Sequence, residues 1–93
     1  MSKSQYSKYE YDRIVLEVTA VVDYRRRLRD VREDRDLTQA ELGKLLNKSQ
    51  QGYNHIEAGR AELKIDDLIK LCKFYNLSAD YLIGLTNTKK TYK

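Results

Sequence analysis

Gln50, Gln51, Asn54 and His55 fall within six residues, on the outer side of a helix that Ser49 can open and Gly59 can close. An amide side chain carries donors and an acceptor in one plane. Glutamine and asparagine therefore match the mixed donors and acceptors along base edges in a major groove, where each good bidentate pair is worth about 1–3 kcal/mol of discrimination. Gln50 and Gln51 follow the cap directly, where a helix set end-on to a groove presents its side chains. His55 stands four residues after Gln51. No acid occurs between Ser49 and Ile56, as a surface facing a polyanion requires. Ser49 and the unpaired amides at the helix start suit a phosphate. Lys48, Arg60 and Lys64 flank the helix and would supply sequence-independent attraction. Singly, each feature has a plainer reading: a glutamine pair is commonly a polar helix surface, and a lone histidine an ordinary surface residue. The nucleic-acid reading rests on their combination with the elements around them.

Those elements follow from spacing and punctuation. Thr38 and Glu41 form a capping box, T-x-x-E, ahead of Leu42, Leu45 and Leu46 at core spacing. Gly43 sits mid-helix at a cost of about 1 kcal/mol against alanine, which makes sense if another helix crosses close by. Asn47 ends this helix, since asparagine tolerates the left-handed backbone of a tight turn. The next helix runs from Gln50 to about Ala58, with Tyr53 and Ile56 inward. Upstream, Asp23 caps a helix over about Tyr24 to Asp34. Tyr24, Leu28 and Val31 lie on its inner face, and Arg25, Arg26, Arg27 and Arg29 on a solvated outer face. Downstream, Ile65, Leu68, Leu71, Cys72 and Tyr75 mark an amphipathic helix with Asp66 and Asp67 near its start. Asn76 ends it. Ser78 caps a short last helix holding Tyr81, Leu82 and Ile83, closed by Gly84.

Residues 1–12 are polar, tyrosine-rich and aperiodic, and read as a mobile arm. Ile14 to Val22 admits two readings. Tyr11, Ile14, Val15, Val18, Val21 and Val22 have helical spacing, while Ile14, Leu16, Val18, Ala20 and Val22 alternate as a strand would. The helix is preferred; the alternative is a strand paired across a dimer. The organisation is then an N-terminal extension over 1–23, a helical domain over 24–85 and a loose basic tail over 86–93.

Bulk properties bound the function. Ninety-three residues make one domain with little room for a deep cleft. Eighteen basic against 14 acidic residues give a net charge of +4, which suits an anionic partner. The lone cysteine, Cys72, permits no intrachain disulfide and fits a reducing cytoplasm. It lies on an apolar helix face and reads as a buried small hydrophobe; Tyr53 and Tyr75 also read as core. No apolar run is long enough to span a bilayer. A single histidine without a second ligand argues against a metal site. No paired carboxylates, nucleophile–base set or phosphate loop stands out, so an enzyme has little support and no cofactor is implied.

The segments LRDVREDRDLTQAELGKLL, S-Q-Q-G-Y-x-x-I-E-x-G-R and LIKLCKFYNLSADYLIGLT together closely resemble the lambda-repressor/Cro family of helix-turn-helix DNA-binding proteins. These proteins are also a worked case for docking a recognition helix in the major groove. The resemblance covers about Tyr24 to Leu85 and implies an all-α, five-helix domain. It implies that Gln39 clamps a phosphate, that Gln50, Gln51 and His55 read bases, and that Asn54 touches a base or the backbone. It further implies a buried Arg32–Glu57 pair joining the first helix to the recognition helix. Four positions depart from the family pattern. Lys48 replaces an apolar turn residue, which leaves the turn less anchored and more directed at phosphate. Gly43 replaces alanine, Asn47 replaces glycine, and Gly52 stands where a short polar residue is common.

The expectation is a transcriptional regulator, a repressor, bound as a homodimer to a pseudo-palindromic double-stranded operator. Ile69 and Phe74, apolar and outward on the fourth helix, are one candidate dimer surface, and Ile14 to Val22 is the other. The rival reading is an antitoxin-like or adaptor module whose N-terminal segment holds a protein partner.

Overall fold

The computed structural model describes residues 23–92. The expectations for residues 1–22 lie outside that span, including the helix-or-strand question and a dimer or protein partner held there. Five helices follow one another: α1 (Tyr24–Asp34), α2 (Gln39–Leu45), α3 (Gln50–Glu57), α4 (Ile65–Tyr75) and α5 (Ala79–Leu82). The described residues contain no strand, and the fold is all-α, as expected.

The helix starts match the sequence signals. Asp23 accepts a hydrogen bond from the Arg25 N–H at 2.8 Å. Thr38 and Glu41 complete the capping box, with Thr38 N–H donating to Glu41 Oε1 at 2.9 Å and Glu41 N–H to Thr38 Oγ1 at 3.1 Å. Ser49 Oγ accepts from Gly52 N–H at 2.9 Å and Ser78 Oγ from Tyr81 N–H at 3.2 Å. Each cap satisfies an amide that the helix itself leaves without a partner.

The helix ends share one device. Asp36, Asn47, Gly59, Asn76 and Gly84 all have positive φ, and one follows each helix. The residue after each returns its N–H to the last turn, as from Lys48 to Gly43 O at 2.7 Å and from Arg60 to His55 O at 2.8 Å. This is the Schellman arrangement, which turns the chain sharply and satisfies carbonyls that would otherwise be orphaned. Four of the five stops were expected; Asp36 was not.

Every helix contributes to one core. Leu28 and Val31 of α1, Leu42 of α2 and Leu46 just after it, Tyr53 and Ile56 of α3, Leu71, Cys72 and Tyr75 of α4 and Leu82 of α5 are buried together. Burying a side chain of leucine or isoleucine size stabilises by about 1.5–3 kcal/mol. Gly43 belongs to the tightest point. A Cβ there would lie 2.8 Å from Ser49 O and 2.9 Å from Lys48 O. The close approach is real, but the neighbour is the turn backbone rather than a crossing helix.

Three expectations are corrected. Arg27 is not on the solvated face of α1. It is 5% exposed and reaches across the core to the Tyr81 and Thr86 carbonyls and Asn87 Oδ1, with its guanidinium 4.1 Å from the Tyr81 ring centroid. The stretch after α5 is consequently held rather than loose, and Ser78 N–H adds a backbone bond to Lys90 O at 2.8 Å. Ile65 is not core: it opens α4 from an exposed position, at the rim of a depression shared with Tyr24, Leu63, Leu68 and Ile83.

Candidate nucleic-acid interface

α2, the turn and α3 form a unit set by local chemistry. Asn47 turns the chain in the left-handed region, Gly43 lets the turn backbone lie against α2, and Ser49 starts α3. The lysine in this turn does not leave it loosely held. Lys48 Nζ lies 3.4 Å from Asp67 Oδ2 on α4, and Asp67 is buried. The turn is thus pinned to α4 by charge, which corrects the expectation of a weakly anchored turn.

The named polar residues separate into two groups. Gln50 and Gln51 are exposed and line, with Gln39 and Asn54, a shallow polar depression of about 370 Å³. His55 does not line that depression. It lines a second one of about 550 Å³ with Lys48, Ser49, Gly52 and Lys64, where Glu62 is the acidic member. Arg60 is exposed beyond the end of α3 and lines neither. One side of α3 therefore collects uncharged amides, and the other collects basic residues around the helix start.

Behind the amide depression lies a hydrogen-bonded network. Arg32 of α1 holds Glu57 of α3 bidentately, Nε to Oε2 at 2.8 Å and Nη2 to Oε1 at 3.0 Å. Arg32 Nη1 also donates to the Leu37 carbonyl at 2.9 Å. Gln39 Nε2 donates to Glu57 Oε1 at 3.1 Å and to Asn54 Oδ1 at 2.9 Å. The Arg32–Glu57 pair implied by the resemblance is thus formed, with the Glu57 side chain only 3% exposed. Burial works to raise the Glu57 carboxyl, but hydrogen bonds from Arg32, Tyr53 and Gln39 outweigh it and hold the group below the usual carboxylate range. The Arg32 guanidinium is held further into its charged form by the Glu57 hydrogen bond, against its own desolvation.

The tyrosines and the cysteine stay in the core. The Tyr75 hydroxyl is buried without a hydrogen-bond partner, while burial and the facing Glu57 carboxylate raise the Tyr53 phenol. Burial pushes the Tyr75 phenol up to about 12, aided by the Glu57 charge. Burial likewise raises the Cys72 thiol. Among the described residues no cluster of His, Cys, Asp and Glu could hold a metal ion. No described helix is long and apolar enough to cross a membrane.

A family model described as helix-turn-helix matches residues 28–82, from the middle of α1 to the end of α5. The chain belongs to the helix-turn-helix family. The match spans the capped pair α2–α3, the helices that pack on it and the Arg32–Glu57 network. Among curated proteins, the helix-turn-helix chain is similar to the uncharacterized HTH-type transcriptional regulator YobD of Bacillus subtilis (strain 168). The two are 33% identical over 64 residues, 69% of this chain and 57% of that protein. It is also similar to the HTH-type transcriptional regulator ImmR of the same organism, 32% identical over 65 residues, 70% of this chain and 51% of that protein. The chain thus spans about half the length of the curated relatives it matches. No solved structure matches.

Sequence reasoning missed Arg27, Asp67 and Asp36 in this helix-turn-helix domain. Two of them carried a readable signal. Arg27 stands three residues after Tyr24 and four before Val31, and Asp67 stands four before Leu71, so helical spacing places both on inner faces. Their charge argued for the outside. Asp36 carried no such signal, because aspartate is an uncommon choice for a left-handed helix stop.

Proposed function

We propose that this protein is a sequence-specific double-stranded DNA-binding transcriptional regulator, with α3 in the major groove. The observation that carries the reading is the division of the α3 surface. Uncharged amides stand on one side, Gln50 and Gln51 with free donors and acceptors, and Lys48, Ser49, His55 and Lys64 line the other. The single acid of α3, Glu57, is turned inward onto Arg32. Gln50 and Gln51 read base edges, and Asn54 and His55 make the flanking contacts. Ser49, Lys64 and Arg60 set register on phosphates, with Lys48 lending charge from its place against Asp67. Family membership points to regulation rather than catalysis.

The proposed direction of control is repression, by occupation of the operator, in the cytoplasm. Two copies would bind a pseudo-palindrome with half-sites about 34 Å apart. Ile69 and Phe74, exposed on α4 at 42% and 46%, are the proposed dimer surface. Titrating binding against salt tests the phosphate set. Lys64→Ala should weaken binding to every sequence and reduce the salt slope by about one. An unchanged slope removes Lys64 from that set.

A further inference from the structure

We infer that Glu57 sets the hydrogen-bonding polarity of the interface through Gln39, so that Asn54 is held with its Nδ2 toward DNA and the Gln39 side chain can only accept. The inference rests on the DNA-binding reading of α3 and says which chemistry two of its residues can recognise. It follows from counting donors and acceptors along one chain of contacts.

The chain begins at the Glu57 carboxylate, which can only accept hydrogen bonds while ionised. The end of Gln39 that faces Glu57 Oε1 at 3.1 Å must therefore be the nitrogen. Reversing that amide would set two oxygens against each other beside a buried charge. The same nitrogen has one more hydrogen, and it goes to Asn54 at 2.9 Å. The end of Asn54 facing Gln39 must accordingly be its oxygen. Asn54 Nδ2 is left with two hydrogens beside the depression it shares with Gln50 and Gln51. Gln39 is left with Oε1 alone.

Two consequences separate these residues from their neighbours. A free amide can grip adenine by donating to N7 while accepting from N6. Gln50 and Gln51 keep that freedom, whereas Asn54 is held with its oxygen turned to Gln39, which leaves Nδ2 as the end directed at DNA. The partner that meets Asn54 Nδ2 is an acceptor: a phosphate oxygen, guanine O6 or N7, adenine N7, or thymine O4. Gln39 has both amide hydrogens directed inward, so its side chain cannot donate to a phosphate as the family resemblance implies.

The test has a DNA-free arm and a DNA arm, both on the full chain. In the first, side-chain amide hydrogen exchange is followed by NMR. The Gln39 NH2 should be protected from exchange and the Asn54 NH2 should exchange freely. The opposite pattern overturns the inference whether or not the protein binds DNA. In the second, sequences bound from a random DNA pool are compared for the wild type, Gln39→Met and Glu57→Gln. Gln39→Met removes the donor to Asn54 without touching the Arg32–Glu57 pair. Discrimination by Asn54 should fall about threefold to tenfold, the worth of one hydrogen bond.

Glu57→Gln lets position 57 donate, so both amides can reverse. If Asn54 meets a base, its preference should shift from an acceptor (guanine O6 or N7, adenine N7, thymine O4) to a donor, the exocyclic amine of adenine or cytosine. If it meets a phosphate, all sequences should lose affinity together. Unchanged preference and affinity in both variants, with Asn54→Ala impaired, overturns the relay. A wild type that enriches no sequence overturns the DNA-binding reading instead, and the exchange pattern still decides the polarity.

Discussion

Arg27 and Arg32 leave the same helix five residues apart, and both end buried, yet they are held by different chemistry. Arg32 meets a carboxylate, Glu57, and through it Gln39 and Asn54 of the proposed DNA-facing surface. Arg27 meets only neutral acceptors, the Tyr81 and Thr86 carbonyls and Asn87 Oδ1, and lies over the Tyr81 ring. The first pair cancels charge where the recognition surface must be rigid. The second ties the end of α5 and the residues after it to α1 by hydrogen bonds and ring contact alone. Removing either arginine opens a hole, but only one removal strands a buried charge, and that difference should govern what the substitutions do.

The largest effect is expected from Arg32→Ala. It leaves Glu57 buried and unpaired, and should destabilise by about 3–5 kcal/mol in urea unfolding. A loss under 1 kcal/mol, which surface substitutions typically show, would mean that Glu57 finds water or another donor. Arg27→Ala strands only neutral acceptors and should cost less, about 1.5–3 kcal/mol. It should also release residues after α5, seen as faster amide exchange at Ser78, whose N–H bonds Lys90 O. If Arg27→Ala proves the more damaging, the ranking by stranded charge fails.

Acid should distinguish the two clusters next. The Glu57 carboxyl is held below its ordinary value, so its contribution is fully present above the unfolded value. It is lost as pH falls through the folded one. The stability difference between wild type and Glu57→Gln should therefore stay constant near neutrality and shrink below roughly pH 4. The acceptors of Arg27 do not titrate, and the cost of Arg27→Ala should hold over the same range. The smallest effect concerns the stop that links the helix carrying both arginines to α2. Asp36 takes a φ of 55° that glycine adopts without strain. Asp36→Gly should stabilise by up to about 1 kcal/mol, read as a raised midpoint in thermal unfolding. A lowered midpoint would show that the aspartate side chain is needed there.

The same contrast explains what was legible in the chain. Caps and stops depend on side chains a few residues apart, so Thr38 with Glu41, Ser49, Asn47 and Gly59 could be read directly. The outward amides of α3 were legible because Tyr53 and Ile56 fix the inner face by helical spacing. The Arg32–Glu57 pair came from resemblance, since 25 residues separate its members and no local rule joins them. Arg27 was misplaced because its acceptors are backbone carbonyls and an asparagine more than 50 residues away, which no charge pattern reveals. His55 was grouped with Gln50 and Gln51 by spacing along one helix. Its assignment to the basic side follows from Lys64, which stands just ahead of the next helix.

The central claim is that α3 reads base edges through Gln50. Selecting bound sequences from a random DNA pool with wild type and Gln50→Ala tests it most directly. The wild type should enrich two symmetric half-sites about one helical turn apart. Gln50→Ala should relax one position in each half while nonspecific binding stays nearly intact. Equal loss of affinity for all sequences, or no enrichment by the wild type, would contradict it.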